Sequence, residues 1–536
     1  MRLFAILALS LATVATASAA GIQAPSSESV PGEAVFVVSG RGWGHGVGMS
    51  QYGAYGQAND GRSYDEILAY YYYGTELGRS GKREVRVLLA EGRQAVTISA
   101  TAAFSVVDAK GSVVKFPAGP LVLRPGLELS TPDGIVAAKG PLVVRAGKAP
   151  LSLDGRPYRG RLEVAVQNGF LRVVNHVALE SYIQGVVADE MPHTWPLEAL
   201  KAQAVAARTY ALKNLVKGKP FDLYADVRSQ VYGGILAEEP ASSAAVRATT
   251  GQVVTYGGQI ASTYYFSTSG GKTASAADVF GFSVPYLISR PDPWDKASPH
   301  HRWGPLLFGA RTLQSKLGLD ARVLDATGTP TPSGRLRSLT LQTLAGPTNV
   351  PASVVRTGLG LRSTWITMGV LRLDRPRSSS VVFGSSLNLT GLARAVTSPQ
   401  LSSSADGANW APEGALAQTP EGAVARSVRP MKTTRYRIVA GGAASQALLV
   451  TVASRVRLVQ AIEPGVLGGT VRPRTPKALV HIERLKGTRW VEVAEATGDG
   501  SGSFRVELAL RPGTYRARVL ASAGLAEGVS PVLTVT

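Results

Sequence analysis

The chain of 536 residues has no cysteine. Disulfides, thiol nucleophiles and cysteine-ligated metals are excluded, so stability has to come from buried cores. Acidic residues are scarce beside basic ones, 37 Asp and Glu against 57 Lys and Arg, a formal net charge of +20. That balance points to polyanionic surroundings. Nucleic acid is disfavoured because no zinc-finger spacing, RNP-type aromatic motif or concentrated basic helix occurs; the cations are spread along the chain. The glycine-rich stretch at 40–58 has neither a GKS or GKT ending nor GxGxxG spacing. With no GxSxG elbow and no HExxH helix either, nucleotide-phosphate, serine-hydrolase and zinc-peptidase readings lack support. Long apolar runs are also missing after the first one. Arg2, the run from Leu3 to about Ala17 and the small residues Ala17-Ser18-Ala19 read as an export signal, too short for a membrane span. The mature chain is expected outside the cytoplasm, in the cell wall, periplasm or medium, without a transmembrane anchor.

What is present centres on residues 175–214. Taking Leu179 as reference, Tyr182, Ile183, Val186, Val187 and Glu190 fall at +3, +4, +7, +8 and +11, one helical face. Glu190 thus continues an apolar stripe, while the adjacent Asp189 turns about a quarter of a circle toward water. A carboxylate against apolar neighbours, near the negative end of a helix, is disfavoured relative to its neutral form. Glu190 is expected to have a raised pKa, which suits a proton donor to a glycosidic oxygen. The alternative is a glutamate that caps the helix or pairs with a nearby cation. After Pro192, a second helix opens at Pro196 with Glu198 in its first turn. Leu197, Leu200, Ala204, Ala207 and Ala211 form a stripe of small residues, and Arg208 points along it. A buried arginine needs an anion; Arg208 is expected to position substrate or another acid, or else to make a structural salt bridge.

GVVADEMPHTWPLEALKAQAVAARTYAL resembles the signature block of the SpoIID/LytB family of bacterial cell-wall proteins. SQVYGG (229–234), YYFSTSGGKT (264–273), DVFG (278–281) and PYL (285–287) resemble its later blocks, in order. GHGVGMSQYGA and ILAYYYYGT resemble two more, but these open the region here and close it in other members. That is tolerable if the region's ends lie close together. The resemblance spans roughly residues 36–370. It implies an exported lytic transglycosylase in which Glu190 protonates the oxygen between N-acetylmuramic acid and N-acetylglucosamine, then takes a proton from muramic acid's own primary hydroxyl. It equally implies the rival, a non-catalytic peptidoglycan binder that enhances a partner amidase. By resemblance Ser229, Gln230 and Tyr232 suit sugar hydroxyls and acetamido groups. Ser267, Ser269 and Lys272 line the cleft, Lys272 facing a lactyl carboxylate, unless the Ser-Gly-Gly run is simply a hairpin turn. His45 touches substrate or is a hydrogen-bonded packing histidine. Some members hold zinc with histidine and cysteine; with no cysteine here, no metal or other cofactor is expected. Asp292, Asp295, His300 and His301 match no strong metal motif and read as an exposed loop.

The fold class expected is α+β: a SpoIID-like mixed catalytic domain followed by two all-β immunoglobulin-like sandwich modules. The divisions are 1–20 signal peptide, 21–34 linker, 35–375 SpoIID-like domain with a β-rich subdomain at about 83–175, then modules at 376–454 and 455–536. The last two rest on a repeat, since Trp410 to Tyr436 is 26 residues and Trp490 to Tyr515 is 25. They read as spacers or wall-binding modules.

Overall fold

The computed structural model describes residues 29–131 and 134–536; the expected signal segment and most of the linker lie outside the described residues. The chain mixes helix and strand, as expected, with strand predominating. Among the described residues no helix is long and apolar enough to cross a membrane.

The alternating runs of 83–175 form antiparallel sheet. A seven-stranded sheet includes Glu84–Arg93, Phe170–Ala178 and Arg161–Gln167, and a four-stranded sheet packs beside it. Phe170–Ala178 runs directly into the helix Leu179–Glu190, here called the acid helix, so the sheet fixes the helix's starting point. Leu179, Tyr182, Ile183, Val186 and Val187 are buried on the expected face. Burying each aliphatic side chain there contributes roughly 1.5–3 kcal/mol.

The central helix, Leu197–Lys213, is buried almost all round: Ala199, Ala202, Ala206 and Val205 are covered as well as the predicted Leu200, Ala204, Ala207 and Ala211. Leu197 departs from its stripe and is 46% exposed, because it sits on the first turn beyond the packed region. Pro196 is the N-cap rather than the first helical residue. Small side chains let the acid helix, the helices Gln51–Asn59, Tyr64–Tyr71 and Pro240–Ala248, and the strand Gln252–Tyr256 all approach this one element.

The N-terminal strand Val35–Arg41 lies between Arg302–Gly309 and Ile366–Leu373, and Ser29 pairs with Pro376. The two ends of the region resembling SpoIID are therefore neighbours, which meets the geometric condition for the displaced glycine-rich block. Phe36 and Val38 face one core and Val37 the other, the period-two alternation of a strand buried on both sides. The same sheet continues through Leu387–Arg394 to Ala423–Val428 and so runs across the 375/376 boundary. Residues 456–535 enclose a separate core between two sheets. In both repeat units a buried tyrosine, Tyr436 or Tyr515, precedes an arginine stacked on the matching tryptophan: Arg437 on Trp410 at 3.8 Å, and Arg516 on Trp490 at 4.3 Å.

Candidate functional site

The acid helix ends at Glu190 beside an open cavity of about 670 Å³. Glu190 is half-buried and lines it; Asp189 is exposed. Burial pushes the Glu190 carboxyl above its ordinary range and Asp189 adds to this. The nearby Tyr265 hydroxyl, Val231 amide and Gln51 side chain favour the charged form and oppose the rise without cancelling it. Among the described residues Glu190 makes no salt bridge, and no cation stands among the largest influences on it. Asp189 is also raised by partial burial, though solvent reaches it more freely.

The donors come from three separated segments. Ser50 caps the helix Gln51–Asn59, accepting from the Gly53 amide at 3.1 Å, which fixes Gln51; its Nε2 donates to the Glu190 carbonyl at 2.9 Å. Gln230 Nε2 donates to the Tyr265 oxygen at 2.8 Å, so the Tyr265 proton is not engaged by Gln230; Gln230 Oε1 in turn accepts from Tyr182 at 3.2 Å. The cavity walls add Trp43, Tyr210, Tyr264 and Phe280. Trp43 stands 45% exposed, an apolar face of the kind on which a sugar ring stacks.

The structure brings His45, Ser229, Gln230 and Ser267 to this cavity with Glu190. Ser229 Oγ accepts from the Tyr224 amide at 3.1 Å, and Ser267 Oγ lies 3.2 Å from Thr268 Oγ1. Gln230 is 2% exposed with its amide already engaged, so it positions Tyr265 rather than reading a sugar. His45 is half-buried, its Nδ1 accepting from the Val47 amide at 3.0 Å, and burial together with Arg335 and Arg356 lowers its pKa to about 4. It stays neutral. Gly46, at φ +90°, has no room for a Cβ, which would fall 2.2 Å from the Arg335 guanidinium.

Four assignments are corrected. Arg208 is fully buried and holds Glu180 bidentately at 3.0 and 2.6 Å, with Gln252 and Val246 carbonyls taking other donors; the structural salt bridge is the correct alternative. Tyr232 is buried under Gly185 with its hydroxyl on Asn175 Oδ1 at 3.1 Å. Ser269 is fully buried and accepts from the Gly271 amide at 3.0 Å. Lys272 makes a backbone bridge to Pro291 and is not among the cavity's lining residues. Asp292 and Asp295, read as loop acids, are both completely buried because Tyr71, the Gly270 amide and His301 supply partners at 3.0, 2.5 and 2.8 Å. Gln51, Tyr265, Trp43, Tyr210, Tyr264 and Phe280 were not anticipated. A lone tryptophan between glycines was the one available signal, for Trp43. Among the described residues, one His/Glu cluster has metal-like spacing, His481 with Glu492 and Glu495, but it lies on the C-terminal sandwich, with Nδ1 within 3.0 and 3.2 Å of the two exposed carboxylates.

An acid lifted by burial at the wall of a polar, aromatic-lined cleft defines a candidate glycan site. Residues 167–256, which hold both helices of that wall, match the family model described as SpoIID, stage II sporulation protein, so the resemblance read from the motifs is shown over this segment. The chain is similar to an uncharacterised protein of Brachyspira hyodysenteriae, 42% identical over 139 residues, 25% of this chain and 38% of that one. It is similar to the stage II sporulation protein D of Bacillus subtilis, 35% identical over 172 residues, 29% of this chain and 50% of the relative. The amidase enhancer of Bacillus subtilis is 38% identical over 180 residues, 33% of this chain and 23% of the relative. The chain thus spans half or less of the length of these relatives. Among solved structures, a two-domain fibronectin type III segment of chicken tenascin aligns at 15% identity and a TM-score of 0.19, over 28% of this chain and 94% of that one; at that score it carries no argument.

Proposed function

We propose that this is an exported cell-wall protein that cleaves peptidoglycan glycan strands as a lytic transglycosylase. The observation that carries the reading is Glu190: raised by burial, without a cationic partner, and opening onto a cavity of about 670 Å³. A neutral Glu190 protonates the oxygen between N-acetylmuramic acid and N-acetylglucosamine as that bond breaks. The resulting carboxylate, whose charge Tyr265, Gln51 and the Val231 amide favour, accepts the proton of the muramic acid primary hydroxyl as its oxygen closes the anhydro ring on the sugar's C1. The same carboxyl is regenerated, and no water is consumed. Trp43, Tyr264 and Phe280 supply faces for sugar rings, and Ser229 and Ser267 supply hydroxyls. In this reading residues 35–375 form the SpoIID-like unit, and the two C-terminal β-sandwiches are immunoglobulin-like spacers or wall-binding modules.

The similarity to an amidase enhancer favours a second reading, a non-catalytic glycan binder that stimulates a partner amidase. Incubation of the mature protein with purified glycan strands, followed by mass spectrometry of the ends, decides between them. The enzyme yields anhydromuramic ends that vanish in Glu190→Gln. A binder yields none, and its Glu190→Gln variant keeps affinity and stimulation.

A further inference from the structure

A second cavity, of about 520 Å³, is reached from the first along the chain, through Arg41, two residues before Trp43. Arg41, Arg302, Trp303 and Trp365 line it, and its lining contains no acidic residue. The Arg41 guanidinium stacks over Trp365 at 5.3 Å, an arrangement that keeps the charge oriented while leaving its edge free to donate. Gly40 makes room for one wall: a Cβ there would fall 2.1 Å from the Trp303 ring, whose Nε1 donates to the Gly42 carbonyl at 2.9 Å.

The arginines around this cavity differ from their neighbours on the same sheet. Arg372 pairs with Asp374 and Arg394 with Asp325. Among the described residues Arg41 and Arg302, which line the cavity, have no carboxylate partner. Arg335 does not line it but packs 5.7 Å from the Trp365 ring; it is 1% exposed, and its Nε and Nη1 find no hydrogen-bond partner. Concentrating positive charge without a counter-ion is costly, and an anionic ligand relieves it.

Position names the ligand. Arg41 lines this cavity and Trp43 the other, two residues along the chain, a separation of at most about 7 Å. A glycan strand at Trp43 therefore passes within a sugar ring or two of Arg41. Resting on the proposed glycan-strand reading, we propose that the cavity lined by Arg41, Arg302 and Trp365 is a carboxylate subsite that holds an acid group carried by the same strand. It takes the role expected of Lys272, which lies outside the cleft lining. That carboxylate comes either from the lactyl group of a bare muramic acid or from a stem peptide.

Binding of the full mature chain, carrying Glu190→Gln to suspend turnover, is measured by fluorescence anisotropy against three probes. These are amidase-stripped strands with free lactyl carboxylates, stem-bearing strands, and uncharged chito-oligosaccharide. Adding Arg41→Ala with Arg302→Ala is expected to weaken at least one acidic strand about ten-fold, the loss of one charge-assisted contact, while chito-oligosaccharide moves less than two-fold. The more affected acidic strand names the source. Equal losses on all three probes, or no loss on either acidic strand, overturn the proposal. Arg302→Ala alone, at an exposed position, gives a smaller loss in the same direction if the double variant melts early. Discrimination between acidic and neutral strands, with no anhydromuramic ends formed by the wild-type protein, would sink the enzyme reading and keep this one; wild-type ends with no discrimination would do the reverse.

Discussion

Glu190 and Asp292 are both carboxyls lifted by burial, and they do different work. Glu190 is half-buried on the wall of an open cavity, where Tyr265, Gln51 and the Val231 amide favour its charged form. Asp292 is completely enclosed; burial and the neighbouring Asp295 push it up to about 6, against the Tyr71 hydroxyl that donates to its Oδ1 at 3.0 Å. Asp295 beside it accepts from the Gly270 amide at 2.5 Å and meets His301 Nδ1 at 2.8 Å. These acids tie the helix Tyr64–Tyr71, through Tyr71, to the Ser-Gly-Gly turn and the loop of residues 292–301. A raised pKa therefore reports desolvation, and only together with space for a ligand does it report chemistry.

The largest test of that contrast is Glu190→Gln, which should lower anhydromuramic product formation by about 10³-fold, within the range that general acid–base groups supply. Its melting temperature should stay near wild type, since the amide occupies the same half-buried place. Persistent product would erase the distinction between the two acids. Next in size is Arg208→Ala, expected to cost about 3 kcal/mol in urea unfolding, because it breaks a pair whose arginine is fully buried. Lost cleavage at unchanged stability would return Arg208 to the substrate.

Asp292→Asn reads the sealed acid through pH. Its folded pKa lies above the unfolded value of 3.8, so the folded state holds the proton more tightly. The stability this gives is complete below pH 3.8 and is lost as pH rises through about 6. Across that window wild type should lose on the order of 2–3 kcal/mol relative to the asparagine variant, measured as the difference between their unfolding free energies. Parallel stability curves would place Asp292 in contact with solvent.

The acid helix was legible because its signal is local: five apolar positions and Glu190 share one helical face, and the strand before it fixes where the helix starts. The antiparallel runs of 83–175 were legible for the same reason, period-two alternation between turns. Arg208 was placed correctly on a buried face, but its partner Glu180 lies on another helix, and helical spacing does not report what faces a side chain across a packing interface. Gln51 and Tyr265 failed for a stronger version of this reason. They reach Glu190 from segments 139 and 75 residues away in the chain, brought in by the pairing of Met49–Ser50 with Tyr265–Phe266. The burial of Asp292 and Asp295 was hidden by composition: Pro, Asp and His in RPDPWDKASPHH are loop-forming residues, and nothing in their order announces that Tyr71 and the Gly270 amide will enclose them.

The smallest effect expected sets two tyrosines side by side. The Tyr265 hydroxyl favours the charged form of Glu190, so Tyr265→Phe should raise the Glu190 pKa further. Because the proposed reaction begins from the neutral acid, its rate should fall as pH rises through that pKa; removing the hydroxyl should move this alkaline limb upward and leave the acid side of the profile in place. Tyr71→Phe removes the corresponding donor from Asp292 and should move the pH dependence of stability while leaving the rate profile where it is. An alkaline limb that shifts downward in Tyr265→Phe would mean that the hydroxyl donates elsewhere and that Glu190 is not the group whose protonation the rate follows. A limb that moves in Tyr71→Phe would mean that the enclosed acids communicate with the cleft, and the separation between the two sites would fail.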